Sequence, residues 1–357
     1  MLKKLLAWPF IILNILCCTG FLVSGYSYII PPAEHPTLAL ASYTFPFFAM
    51  GVLLFMAFWL FVKWKYAFIS VLTLIIGAVP MQKYAPVTSP DEDTDGALKV
   101  ISYNVHCFAA PDVYSDTVTM GKIQDYLNHS DADIICLQES YILPERKDEF
   151  KPNYKYMEVV EVPSIGIGMT CLSKYPIEKA EKIEYESEHN LSACFHVRYK
   201  GELIRVINNH FESINMSQDD KEGFKSYVKR ALEDENDGVE GSKRIAGLIR
   251  NATVIRQKQA EVVAKFIGKQ PKNTILVGDF NDTPLSYTHH VINKKLTDCY
   301  TERGWLAGYS YVNHGMFVRI DHTFCSDDFR TIKCYVDDDA DYSDHHPIIT
   351  YLKRVEE

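Results

Sequence analysis

Several signatures of common enzymes are missing from this 357-residue chain. It contains no Gly-x-x-x-x-Gly-Lys, no dinucleotide-type Gly-x-Gly-x-x-Gly, no His-Glu-x-x-His and no Gly-x-Ser-x-Gly. These absences argue against a P-loop enzyme, a dinucleotide-binding fold, a zincin and a common serine hydrolase. None of the nine Cys falls in a Cys-x-x-Cys pair, so neither a redox motif nor a structural zinc site is indicated. Cys136 and Cys171 lie inside apolar runs and read as small core residues; the spacing leaves a disulfide open. There is also no dense Lys/Arg stripe. The net charge is −9, and the first 97 residues balance five Lys against five acids, so the whole −9 falls on the remainder. A long nucleic acid, bound mainly through its phosphates, is a poor electrostatic match for such a domain.

Long apolar runs are what the N-terminal part does have. They cover about Leu5–Leu22 (extendable to Ile30), Leu38–Val62 and Tyr66–Met81. Each approaches the ~20 residues that cross a bilayer, the third least clearly. Trp8, Tyr26, Tyr28, Trp59, Trp64 and Tyr66 crowd their ends, as an interfacial belt requires. A cleaved signal peptide before a buried hairpin is the alternative, but no small-x-small cleavage site follows the first run. Lys3 and Lys4 precede the first run, and Lys63 and Lys65 separate the second and third. The loop 31–36 carries neither Lys nor Arg. The positive-inside rule then puts both basic segments in the cytoplasm. Three spans leave everything after Met81 outside. Residues 82–97 read as a polar linker, and residues 98–357 as one globular domain.

Within that domain, chemistry-bearing residues recur at the ends of apolar strands. Leu98–Val105 delivers Asn104, and Asp133–Glu139 ends in Glu139. Ile165–Ser173 reads as a Gly-punctuated strand. Phe195–Tyr199 and Leu203–Asn208 read as a hairpin that leads to His210. Ile275–Pro284 runs from a buried strand into a turn carrying Asp279 and Asn281, two apart and so on one side. Val318–Phe324 holds Asp321 inside an apolar run, and Tyr342–Ile349 presents Asp344 and His345 at a strand start. Between them, residues 211–256 form a charged insert, either a solvated helix pair or a lid. Ser217–Leu232 has helical character, Glu233–Ser242 reads as an acidic loop, and Arg256–Ile267 as an amphipathic helix. Asp, Asn, Glu and His without Cys clusters suit Mg²⁺, or Mn²⁺, better than zinc.

Six short motifs, taken in order, resemble the endonuclease/exonuclease/phosphatase family. They are Ser102-Tyr103-Asn104, Leu137-Gln138-Glu139, Asn208-Asn209-His210, Gly278-Asp279-Phe280-Asn281, Arg319-Ile320-Asp321-His322 and Ser343-Asp344-His345-His346-Pro347. The resemblance covers Leu98 to the C-terminus. It implies an α/β four-layer sandwich of two packed mixed sheets flanked by helices, with the site at one edge. It implies that Glu139 carries the metal, with Asn104 beside it and Asp344 supporting that region. Asp279 would orient or deprotonate the attacking water, and Asn281 would hold a phosphate oxygen. His345 would contact the phosphate, with Asp321 fixing its tautomer, and His210 would assist the leaving group or contact phosphate. Two departures from the family pattern stand out: Cys107 and Phe108 follow Asn104 where the family often has Arg, and His322-Thr323 follow Asp321. The expectation is a membrane-anchored, Mg²⁺-dependent phosphoesterase with a lipid or small phosphoester substrate. An extracytoplasmic nuclease and a catalytically inactive binding module are the alternatives, and the oligomeric state is open.

Overall fold

The computed structural model describes residues 7–89, 93–108, 117–140, 153–162, 167–187, 189–214, 235–269, 271–313 and 316–355, without the side chains of 7, 117 and 235–242. Its N-terminal part is an antiparallel helical bundle. Helix α1 (Ala7–Tyr26) is followed by the short α2 (Pro36–Ala39) and by α3 (Phe45–Val62). Trp8–Ile29 and Pro36–Val62 are each long and apolar enough to cross a membrane. The third run is bent by 62° between α4 (Ala67–Ile76) and α5 (Ala78–Tyr84). Pro80 explains the bend, since it lacks an N–H and its ring collides with the carbonyl four residues back, that of Ile76. Gly77 sits at the break because a Cβ there would lie 2.1 Å from the Phe21 ring.

Polar side chains tie the bundle internally, with Ser70 Oγ donating to Asn14 Oδ1 at 3.1 Å. Large apolar side chains such as Phe47, Leu54, Phe61 and Phe68 point outward. A surface of that kind suits lipid and is costly in water. The Phe45 and Tyr84 rings meet at a tilt with centroids 5.4 Å apart, so the tail of the third run lies beside the head of the second. Trp59 and Tyr66 meet at the opposite end.

The remainder is built on two six-stranded mixed sheets, which is the sandwich expected from sequence. The first contains β1 (Leu98–Asn104), β2 (Ile134–Ser140), β3 (Tyr156–Glu161), β4 (Gly168–Ser173), β13 (Phe329–Val336) and β14 (Ile348–Arg354). Its order is β13-β14-β1-β2-β4-β3. The second contains β5 (Ile177–Ile183), β6 (Ser192–Tyr199), β7 (Glu202–His210), β8 (Thr274–Asp279), β9 (Thr297–Asp298) and β12 (Asp321–Cys325). Its order is β5-β6-β7-β8-β12-β9. A separate ribbon pairs β10 (Tyr311–Asn313) with β11 (Met316–Val318). Strand alternation sorts the cores. Val100, Ile134, Val206 and Val277 face the opposite sheet. Ile101, Ile135 and Leu137 pack on helix α6 (Thr117–His129). Ile207, Leu276 and Phe324 pack on helix α7 (Glu235–Ile267). Both faces of the central strands are covered, which is why they read as continuous apolar runs.

Two sequence readings change. Glu233–Ser242, expected as a loop, is helical from Glu235, and α7 runs for 33 residues. Each Gly costs a helix roughly 1 kcal/mol relative to Ala, but a helix already nucleated and packed absorbs that at its end. The connector after α5 is fastened to the domain. Thr88 Oγ1 donates to the Gly304 carbonyl at 2.5 Å, and Leu306 N donates to the Pro86 carbonyl at 2.7 Å. Ser217–Leu232, the expected helical part of the insert, and Ile165–Gly166 of the expected Gly-rich strand lie outside the described residues. All nine Cys are free thiols.

Candidate active site

Register places the polar residues. In the second sheet His210 pairs with Asp279, and Asp279 pairs with Asp321 on its other side. Three adjacent strands therefore present one row of functional side chains at the sheet edge. Gly278 makes that register achievable. Its φ is +134°, and a Cβ on it would come within 2.0 Å of the Asn209 carbonyl oxygen. Only glycine lets β7 and β8 approach this closely. In the first sheet, Asn104 and Glu139 stand at the ends of β1 and next to the end of β2. Gln138 and Asn208 lock the two sheets together beneath them, Nε2 to Oδ1 at 2.6 Å.

The contacts converge. Asn104 Nδ2 donates to Glu139 Oε1 and to Asp279 Oδ2, each at 3.0 Å. His210 Nε2 lies 3.4 Å from Glu139 Oε1 and 3.8 Å from Asp279 Oδ2. His345 Nδ1 meets Asp321 Oδ2 at 2.8 Å, and its Nε2 lies 3.6 Å from Asp279 Oδ2. Asn281 Nδ2 donates to the Phe211 carbonyl at 3.0 Å and to Asp279 Oδ2 at 3.3 Å. Asp344 Oδ1 pairs with His106 Nδ1 at 3.3 Å. All eight residues expected from the motifs thus belong to one contiguous array or its rim. Glu139 and Asn281 hold φ near +50°, as does the turn His106-Cys107-Phe108. Such conformations cost non-glycine residues of order 1–3 kcal/mol each and cluster at functional sites.

Glu139, Asp279, Asn281, Asp344, His345, His106 and Ser213 form the polar side of a cleft of about 320 Å³. Ile214, Ile249, Met316, Val318 and Ile320 form its apolar side, with Tyr43 and Tyr311. No Lys or Arg lines it among the described residues. A larger groove of about 860 Å³ beside Trp305 and Phe317 contains none of the carboxylate cluster, so it is not the reaction centre. Among the described residues of the cleft, the four carboxylates Glu139, Asp279, Asp321 and Asp344 meet imidazoles and amides but no Lys or Arg. That excess of negative charge with hard oxygen donors fits a divalent cation. Asp279, Asp321 and His345 also come close enough to share one ion. Asp321 and His345 already spend their facing atoms on each other, so the open carboxylate, Glu139, is the better seat. As placed, Asn104 turns its amide donor toward Glu139.

Burial pushes the Asp279 carboxyl up to about 6; Asp321 adds to this, while His345 and His210 oppose it. Burial alone would lower His345, but Asp321 and Asp279 outweigh it and push the imidazole up to about 10. The Cys107 thiol is pushed up to about 12 by burial and by Glu139 and Asp344, so it is no nucleophile. With Asp279 as base and protonated His345 as donor, activity falls as pH drops through about 6, where Asp279 gains a proton. It falls again as pH rises through about 10, where His345 loses one. A kcat/KM profile checks this, and a Mg²⁺ ion nearby moves both limbs toward lower pH, because it disfavours the protonated form of either group.

Residues 101–345 match the Endonuclease/Exonuclease/phosphatase family. The chain belongs to this family. Its members are hydrolases of phosphoester bonds, and the two-sheet fold agrees. A solved endonuclease/exonuclease/phosphatase structure from Beutenbergia cavernae superposes with a TM-score of 0.52 at 17% identity, over 72% of each chain. A family protein from Bacteroides thetaiotaomicron gives a TM-score of 0.48 at 19% identity, over 72% of this chain and 97% of that one. D. rerio TDP2 complexed with single strand DNA product gives 0.49 at 16%, over 72% and 100%. Residues 3–84 match a domain of unknown function (DUF8431). No curated protein matches.

The motifs did not reveal every residue that shapes this family site. Asp282 looked like one more turn residue, yet it is buried and bonded by Thr288 Oγ1 at 3.0 Å. Arg256, fully buried, lies 3.4 Å from Asp282 Oδ2 and donates to the Glu212 carbonyl at 3.0 Å. His322 Nε2 bonds the Asp282 carbonyl at 2.9 Å, which gives that departure from the family pattern a structural role. Asn190 Nδ2 sits 3.2 Å from His210 Nε2.

Proposed function

We propose that this protein is a membrane-anchored, divalent-metal-dependent phosphoesterase acting on a lipid or small phosphoester. The observation that carries the reading is the array in which Asp279 is surrounded by Asn104, His210, Asn281, Asp321 and His345, with Glu139 open to the cleft. A cation held by Glu139, with Asn104 and Asp344 beside it, would neutralise phosphate charge and polarise the P–O bond. Asp279, buried and raised in pKa, accepts the proton of the attacking water. Protonated His345, held by Asp321, donates to an oxygen on which charge develops. His210 Nε2 lies beside Glu139 and Asp279, whereas Asn281, expected to hold a phosphate oxygen, spends its amide donor on the Phe211 carbonyl and on Asp279 and would have to release one of them to do so. Substrate preference follows from the walls. A polyphosphate or a nucleic-acid strand calls for several Lys or Arg, and the described lining has none. An ester with one phosphate and an apolar body matches a cleft that is carboxylate on one side and aliphatic on the other.

The full-length protein in detergent or nanodiscs is expected to hydrolyse bis(4-nitrophenyl) phosphate, to lose that activity in EDTA and to regain it with Mg²⁺. No turnover with Mg²⁺ or Mn²⁺ would leave a binding module. Faster cleavage of duplex DNA than of any phospholipid, sphingolipid or small phosphoester would favour the nuclease. The Lys placement puts the catalytic domain on the extracytoplasmic side. A reporter that works only in the cytoplasm, fused after Glu357, should stay silent; a bright signal would refute this orientation.

A further inference from the structure

One residue lining the catalytic cleft, Tyr43, does not come from the catalytic domain. Tyr43 lies near the start of the second apolar run, in the turn just before α3, and it lines the cleft that holds the carboxylates. Its hydroxyl donates to Asp282 Oδ1 at 3.3 Å. Asp282 directly follows Asn281, and its side chain also caps the Thr283 amide at 3.1 Å. A pull on Asp282 is therefore a pull on the loop that carries Asn281. The docking is not one stray contact. Ala33 N donates to Gln257 Oε1 at 2.8 Å, on α7. Tyr28 packs on His290 with ring centroids 4.8 Å apart. Arg319 Nη2 donates to the Lys83 carbonyl at 2.7 Å. The ends of all three apolar runs that face the catalytic domain are thus fastened to it. The residues matching the family, 101–345, leave Tyr43 out.

We propose that Tyr43 is a specificity-determining residue. It completes the apolar wall of the site and holds Asp282, so that the cleft favours a single-phosphate ester whose apolar body arrives from the bilayer side. This rests on the phosphoesterase reading above and adds to it the contribution of the membrane region. Tyr43 touches no reacting atom in this scheme. Its ring supplies surface for the substrate's apolar part, and its hydroxyl steadies the loop behind Asn281.

The two roles separate in two variants of the full-length protein in nanodiscs. Tyr43→Phe keeps the ring and loses the hydroxyl; Tyr43→Ala loses both. The probes are methyl and hexadecyl 4-nitrophenyl phosphate, which share their reacting atoms and differ only in the tail. In Tyr43→Phe, both esters should slow by a similar factor, about three- to tenfold, with the hexadecyl-to-methyl ratio of kcat/KM unchanged. In Tyr43→Ala, that ratio should fall at least tenfold. Amide hydrogen exchange of the peptide spanning 279–286 should quicken in both variants, which is readable without turnover. A hexadecyl-to-methyl ratio in Tyr43→Ala equal to that of the unaltered protein overturns the specificity role, and unaltered exchange overturns the hold on Asp282. If the unaltered protein cleaves neither ester, the phosphoesterase reading falls, and exchange alone still decides whether Tyr43 holds the loop.

Discussion

Replacing Asp279 by Asn lowers turnover by at least two orders of magnitude and leaves the fold intact. Asp279 is 1% exposed and lies within reach of Asn104, His210, Asn281 and His345. The amide preserves shape and can still meet a donor through its oxygen, but it cannot take a proton from water. Losing one well-aimed electrostatic partner in other enzymes costs on the order of 10²–10³ in rate. Glu139→Ala and His345→Ala are expected to fall as far, the first through its metal seat and the second through its donor. Stability moves the other way for Asp279. Its folded pKa of about 6 lies above the ordinary 3.8, so its favourable contribution is present at low pH and is lost as pH rises through about 6. At pH 7 and above, in the metal-free protein, the charged carboxylate is a cost that Asn removes. Thermal unfolding of Asp279→Asn should therefore occur at the same or a higher temperature. Near-normal turnover of all three variants at saturating Mg²⁺ would show that the centre of reaction is elsewhere.

Gly278→Ala should be the most damaging single methyl in the domain. The added Cβ meets backbone, not a side chain that could turn away, at 2.0 Å from the Asn209 carbonyl oxygen. The φ of +134° adds strain of order 1–3 kcal/mol by itself. β7 and β8 must separate or slip, and Asp279 moves relative to both His210 and Asp321. A displacement of about 1 Å at a catalytic group can cost about 10²-fold in rate. Loss of several kcal/mol in chemical denaturation, with kcat down on the order of 10²-fold or no folded protein, is the expected result. Ala at 278 with unchanged stability and rate would mean that this strand contact is not as close as described.

The site was legible because each of its residues ends or begins an apolar strand, and strand ends are where a sandwich gathers its polar groups. Asn104, Glu139, His210, Asp279, Asn281 and His345 were readable on that ground, whereas Asp321 read as lying inside the run Val318–Phe324, which the structure breaks so that β12 starts at Asp321. Arg256 was not. It sits in a charged insert whose periodicity suggests a solvated face, and only tertiary structure brings Asp282 to it. Tyr43 was hidden for a related reason: an aromatic at the end of an apolar run reads as an interfacial anchor, and no local pattern says that it faces a catalytic cleft. Gln138 and Asn208 belong to the motifs but bond across the two sheets, so motif membership did not separate chemistry from architecture. The bend at Gly77 was signalled by Pro80, yet the unbroken apolar character around it pointed to one straight span.

The pairing of β1 with β14 has a consequence for the order in which the protein comes into being. The strand that opens the domain lies between β2 and the last strand of the chain, so the first sheet stays unfinished until residues about 250 positions later have emerged. His345 stands just before that last strand, and Tyr43 waits at the other end of the chain for Asp282. Contacts of such long sequence separation form late, because loop closure must be achieved before they contribute. The array around Asp279 is therefore assembled only after β14 has emerged and both sheets have closed, with its earliest and latest strands joined last.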